Sequence, residues 1–205
     1  MTTPHSPPRA PAERLALIEQ ARHAVFEARD PQRAPRLAPW VERSWQRCLQ
    51  MGLEPSRSVA FDPVSTAQMH LAVESNQPLL RAAAPVIRSL ARAMAHTRYF
   101  AILTDARGMV IDANGPIDAS DPFASRIARV GVDLSERAVG TTAIGTTLAE
   151  LQPVWLHRGE HFFAATSVYS CAGAPIWGPD GHCVGMLDLT GVNVIEQPAL
   201  KHLVA

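Results

Sequence analysis

Lysine is almost missing from this sequence: 18 of its 19 basic residues are arginine, and Lys201 is the exception. The glycine-containing run Gly140-Thr141-Thr142-Ala143-Ile144-Gly145-Thr146 therefore lacks the lysine of a phosphate loop, which argues against nucleotide hydrolysis. Cysteine is also scarce. Cys48, Cys171 and Cys183 are odd in number and widely spaced, so they make neither a disulfide framework nor a CxxC pair. With His157, His161 and His182 they match no zinc spacing, and no metal or cofactor is expected. No apolar run approaches the ~20 residues that span a bilayer, and Met1 precedes Thr, Pro and Ser rather than the apolar core of a secretory signal. A reducing cytoplasm fits these absences. Net charge is missing too, with 19 basic against 19 acidic residues, so neither direct nucleic-acid contact nor membrane contact is expected.

What is present is a chain of 205 residues, 47% of them apolar, enough for a core without a disulfide or metal staple. Charge is uneven: residues 1–100 carry 13 arginines against 8 acidic residues, the pattern of a solvated helical surface. Residues 1–10, rich in Pro, Ser and Thr, read as a disordered tail. Residues 11–75 read as a helical N-terminal extension. Its first helix runs from about Pro11 to Arg29, with Ile18, Ala21 and Val25 on one face and Asp30-Pro31 as the stop. A second carries Leu37, Trp40, Val41, Ser44, Trp45, Cys48 and Leu49 on one stripe and ends at Gly52. Ser65-Thr66-Ala67-Gln68 is a capping box. Beyond it, Leu79, Ala83, Ile87, Leu90 and Met94 form an apolar stripe in which Pro85 predicts a kink or a restart.

The pattern turns to strands near Arg98. Tyr99 to Thr104 and Met109 to Ala113 flank a turn at Asp105-Ala106-Arg107-Gly108. A helical piece starts after Asp121-Pro122. Thr141 or Thr142 caps a helix bearing Ile144, Leu148 and Leu151, and Gln152-Pro153 ends it. Val154 to His157, Val168 to Trp177 and Cys183 to Leu189 are strand candidates, the last two joined by Gly178-Pro179-Asp180-Gly181. The segment from Pro198 begins an amphipathic helix that the chain end cuts short, which reads as a fragment of a longer protein. The expectation is an α+β domain over residues 76–205, with a mostly antiparallel sheet and helices on one face.

Several residues are candidates for chemistry. Free N–H groups near Thr141 and Thr142 can hold an anion, although a simple cap explains them as well. The histidines read as surface residues, and Cys171 as a packed thiol with no neighbouring cation to stabilise a thiolate. Glu160-His161 has acid–base potential, but no nucleophile accompanies it; a polar loop near a pocket mouth needs fewer assumptions. Asp188, between Leu187 and Leu189, is a costly carboxylate on an apolar strand. It either anchors a ligand hydroxyl or accepts backbone N–H bonds at the sheet end, and the second is preferred.

Ser44-Trp45-Gln46-Arg47-Cys48 followed by Gly52-Leu53-Glu54-Pro55 resembles the amino-terminal signature of acetoin-catabolism-type sigma-54-dependent (Fis family) transcriptional activators. The run at Gly140–Thr146, Gly159-Glu160-His161-Phe162, Cys171-Ala172-Gly173-Ala174-Pro175-Ile176 and Leu187-Asp188-Leu189-Thr190-Gly191 resemble the GAF sensor domain of the same regulators. The resemblance covers Leu37 to Ala205 and departs from the family at Thr142, where Asn is usual, and at Leu134, where Trp is frequent. It implies a GAF-like fold of about six strands, with a pocket near Thr141, Thr142, His161, Phe162, Tyr169 and Cys171. It implies a non-enzymatic, homodimeric sensor of a small organic effector, coupled to an AAA+ ATPase and a helix-turn-helix DNA-binding domain that these residues do not include. The alternatives on the same fold are a redox enzyme similar to free methionine sulfoxide reductase, acting through Cys171 or Cys183, and a dimerisation module that binds no ligand.

Overall fold

A computed structural model describes residues 11–59, 61 and 64–204. The tail expected over residues 1–10 lies outside them. Contacts divide the chain into two compact units, Met1–Pro39 and Trp40–Ala205. In the first, helix α1 (Pro11–Arg22) continues into a π-helical turn at His23–Glu27 and ends before Asp30-Pro31, as the breaker residues require. Arg22 lies over the Phe26 ring, 5.0 Å from its centroid.

Among the described residues the second unit is built on an antiparallel sheet of five strands, ordered β2-β1-β5-β4-β3, against the six or so expected. The strands are β1 (Tyr99–Asp105), β2 (Val110–Asn114), β3 (Val154–His157), β4 (Tyr169–Trp177) and β5 (Cys183–Val192). The β1–β2 turn closes on Asp105, whose side chain accepts N–H bonds from Arg107 and Met109. Gly108 takes a positive φ of 89° there.

Because side chains alternate across a strand, the sheet has two different faces. Tyr99, Ala101, Leu103, Ala172, Leu187 and Leu189 form the apolar face. It is covered by helices α3 (Thr66–Ser75), α4 (Gln77–Ala93) and α8 (Lys201–Val204). Ser65 caps α3 in the predicted capping box. Pro78 marks the break between α3 and α4, whereas Pro85 is accommodated inside α4 without ending it. Ile87 is buried in this core and Leu79, Ala83 and Leu90 pack against it.

The opposite face carries Ile102, Cys171, Asp188 and Thr190. It is closed by α5 (Pro122–Ile127), α6 (Glu136–Val139) and α7 (Ala143–Glu150). Thr142, not Thr141, caps α7 by accepting the Gly145 N–H. Gly145 has no room for a side chain: an added Cβ would lie 2.6 Å from the Glu136 backbone nitrogen. Gly140, with φ of 66°, turns the chain between α6 and α7 against the Phe163 ring.

Helix α2 (Pro39–Gln50) belongs with this sheet unit from Trp40 onward. Its two tryptophans donate to sheet-unit carbonyls: Trp40 Nε1 to Trp155 O at 3.2 Å, and Trp45 Nε1 to Glu160 O at 2.9 Å. Between them Ser44 donates to Glu136 Oε1 at 2.5 Å and lies 2.8 Å from the Thr141 hydroxyl. Arg47 forms a two-pronged bond to Glu136, each prong 2.7 Å, and reaches Glu150 at 2.7 Å. Arg43 also binds Glu150. Burial raises the Glu150 carboxyl, but the Arg43 and Arg47 bonds outweigh it and hold the carboxyl below its usual range.

Two outcomes test this packing. Gly145→Ala should destabilise the protein by about 1–3 kcal/mol in denaturant unfolding, because the clash with Glu136 backbone exceeds the ~1 kcal/mol that Ala offers a helix; a stabilised variant would contradict the close approach. Glu136→Ala should cost about 3 kcal/mol, since it strands Ser44 and the partly exposed Arg47, and a change within error would show the cluster to be dispensable.

Candidate functional site

A cavity of about 30 Å³ lies between the second sheet face and α7, with room for little more than water. Ile102, Ile127, Leu134, Val139 and Ile144 form apolar walls, while His161, Tyr169, Cys171, Asp188 and Thr190 supply polar atoms. Among the described lining residues only Phe61 and Thr142 are partly exposed.

Thr142, His161, Tyr169 and Cys171 are brought together here, but Thr141 and Phe162 are not among the lining residues. Thr141 turns toward Ser44 and Cys48 in the α2 contact. Phe162 is fully buried, edge-on to Phe163 with centroids 5.2 Å apart. Of the three histidines expected at the surface, His182 is exposed, but the other two are inside: His161 is 0% and His157 3% exposed. They occupy opposite faces of the sheet, because His157 bonds Ser170 at 2.5 Å while His161 meets the next residue, Cys171, at 3.5 Å. Glu160 is likewise buried, and accepts the His157 N–H at 2.7 Å. Among the described residues no group of three or more His, Cys, Asp or Glu is placed to hold a metal.

Asp188 corrects the preferred expectation. It lies in the middle of β5, paired with Ile102 on one side and Gly173 on the other, and not at the sheet end. Its side chain is 0% exposed. Oδ2 meets the Thr190 hydroxyl, while Oδ1 is buried without a hydrogen-bond partner. Burial pushes this carboxyl up to about 7, against the opposing Thr190 bond. Burial also pushes the Cys171 thiol well up, with the Asp188 charge adding to it. Both effects favour the neutral thiol of Cys171 over the thiolate. Tyr169 spans the cavity's edge, its ring 6.2 Å from that of His161 and its hydroxyl donating to Phe123 O at 3.0 Å, which ties α5 down. The sequence signal for Asp188 was its place between two leucines, for Leu134 its departure from the resembling family, and for Thr190 its place in the motif that ends at Gly191; Phe61 carried no mark.

A second depression of about 170 Å³ lies beside Thr97, Arg98 and Phe100. Its acids already serve local structure, Asp118 bonding Ser120 and Asp121 capping α5. The smaller cavity, with an unpartnered buried carboxylate oxygen, is the better site.

The raised Asp188 carboxyl has a stability consequence. The unfolded chain loses this proton near pH 4 and the folded chain near pH 7, so native stability should fall across that interval by a few kcal/mol and level off above it. Asp188→Asn should remove most of that fall, leaving the variant more stable than the parent at about pH 8 and equal to it below about pH 4 in urea titrations. Parallel profiles for the two proteins would contradict a buried, protonated Asp188.

Comparison with known proteins agrees with this architecture. The acetoin catabolism regulatory protein of Cupriavidus necator is 29% identical over 154 residues, 75% of this chain and 23% of that protein. The propane 2-monooxygenase operon transcriptional activator MimR of Mycolicibacterium goodii is 33% identical over 163 residues, 75% of this chain and 26% of that protein. The chain thus spans about a quarter of the length of these relatives. The crystal structure of the E. coli DhaR(N)–DhaL complex superposes with a TM-score of 0.73 over 82% of this chain and 58% of that one, at 16% identity, and shows the same GAF-like α+β fold. The family described as "MimR, N-terminal domain" matches residues 19–204, and the chain belongs to that family.

Proposed function

We propose that this chain is the effector-sensing region of a bacterial transcriptional activator of catabolic genes, not an enzyme. The observation that carries the reading is the cavity between the sheet and α7, apolar except for one cluster that includes the unpartnered Asp188 oxygen. Such a concave site with few convergent polar groups is the usual form of a small-molecule pocket. The names of the relatives, activators of acetoin and propane-oxidation operons, supply the regulatory context. Thr142, His161, Tyr169 and Cys171 are the ligand-facing residues of this proposal, with Thr141 and Phe162 supporting the wall from behind.

The two departures from the resembling regulators, Leu134 and Thr142, both line the cavity, which favours an effector other than acetoin. At about 30 Å³ the cavity must enlarge to admit an organic molecule, and the partly exposed Phe61 and Thr142 mark its solvent side. A signal then requires that the effector prefer the enlarged state. α7 and α2 are joined through Glu136 and Glu150, so a displacement of α7 strains that contact. The receiving parts are an AAA+ ATPase and a helix-turn-helix domain of the full-length protein, in a cytoplasmic homodimer that covers Val86 and Leu203, exposed apolar residues of α4 and α8.

Thermal unfolding with a panel of small alcohols, ketones and aromatic acids tests the reading. At least one compound should raise the melting temperature, by the equivalent of about 2.7 kcal/mol at a hundredfold excess over Kd. Ala143→Val, which fills the cavity from α7, should abolish the shift. A panel without any shift, or a shift that persists in Ala143→Val, would count against the pocket.

A further inference from the structure

A chain of polar contacts ends on the cavity. His161 Nδ1 lies 2.9 Å from the Arg158 carbonyl oxygen, which can only accept, so Nδ1 carries the proton. Nε2 is then left to accept from the Cys171 thiol, 3.5 Å away. The Thr190 hydroxyl stands between Cys171 Sγ, at 3.3 Å, and Asp188 Oδ2. Each link engages an atom other than Asp188 Oδ1, which is buried with no partner. A buried unmatched carboxylate oxygen costs free energy that a ligand contact recovers.

The charge of that ligand is constrained as well. Among the described residues no lysine or arginine lines the cavity, and the titratable side chains that do are His161, Tyr169, Cys171 and Asp188. A ligand carboxylate would meet the Asp188 carboxyl with no cation to offset the desolvation of either. An uncharged oxygen suits the site in both protonation states of Asp188. The ionised carboxylate accepts from a hydroxyl, and the protonated acid donates to a carbonyl.

We infer that Asp188 is the specificity-determining residue of the cavity: its Oδ1 hydrogen-bonds the hydroxyl or carbonyl oxygen of a small uncharged ligand, and its carboxyl excludes carboxylates of the same shape. The inference rests on the sensing reading and deepens it. Nearby apolar walls from Ile102, Val139 and Ile144 accept the ligand's short aliphatic part.

Calorimetric titration of the chain with propan-2-ol, acetone and acetate, three compounds of equal heavy-atom count, tests the inference. At least one neutral compound should bind roughly tenfold tighter than acetate or better. Asp188→Leu should weaken the neutral compound by a similar factor, with circular dichroism verifying its fold. Asp188→Asn, which keeps the volume and the hydrogen-bonding capacity, should retain neutral binding and narrow the gap to acetate. Acetone binding that weakens between about pH 6 and about pH 8 marks a carbonyl held by the protonated acid, and pH-independent propan-2-ol binding marks a hydroxyl. Acetate binding as tightly as both neutral compounds, or Asp188→Leu binding them as the parent does, would overturn the role of Asp188 while leaving a ligand-binding pocket. Failure of all three to bind the parent would overturn the pocket and this inference together.

Discussion

The buried carboxylate of Glu136 is the fixed point of the sheet unit. Ser44 and Arg47 reach it from α2, Thr146 approaches it from α7, and Gly145 lets the α7 backbone lie directly against α6. A buried charge is tolerable only when paired and hydrogen-bonded, so each of these residues is needed because the others are present. The result sets the distance of α7 from the sheet. On its other side α7 rests on Gly173, where a Cβ would strike Thr147 Oγ1 at 2.9 Å and approach the Ala143 carbonyl at 3.3 Å. One helix is thus clamped between a charge cluster and a side-chain-free strand position, and the cavity occupies the space beside it.

The cavity embodies the opposite logic. Around Glu136 every charge is met, whereas at Asp188 one carboxylate oxygen is buried and left over. The cost appears as a carboxyl pushed up to about 7 by burial. Nothing in the packing of the sheet requires an acid there, since its strand neighbours Leu187 and Leu189 face an ordinary apolar core. Among the described residues the Thr147 hydroxyl oxygen is the other buried side-chain oxygen without a partner, and of the two only Asp188 lines the cavity. An unmet carboxylate oxygen facing a cavity is the pattern expected where function has overridden stability.

Much of this fold was legible in the sequence because its signals are local. The capping box at Ser65, the turn at Asp105–Gly108, the α7 cap at Thr142 and the strand alternation all act within a few residues. The site was only half legible. His161, Tyr169, Cys171 and Thr142 do converge, yet the same conspicuous motifs also contain Thr141 and Phe162, whose tasks are a helix contact and a core contact. Motif membership marks a residue as constrained without saying by what. The partners of Glu136 lie 89 and 92 positions away in the chain, at Arg47 and Ser44, beyond any periodicity argument. For the same reason α2 read as part of a separate extension, although its tryptophans donate to carbonyls of the sheet unit.

The account depends on a metabolite-sized molecule entering beside Asp188. A crystal structure of the chain grown with whichever compound shifts its melting temperature most is the direct measurement. The account predicts ligand density within about 3 Å of Asp188 Oδ1, with α7 displaced from the sheet. Density in the depression beside Arg98 and Asp118, with the space next to Asp188 unchanged, would contradict it.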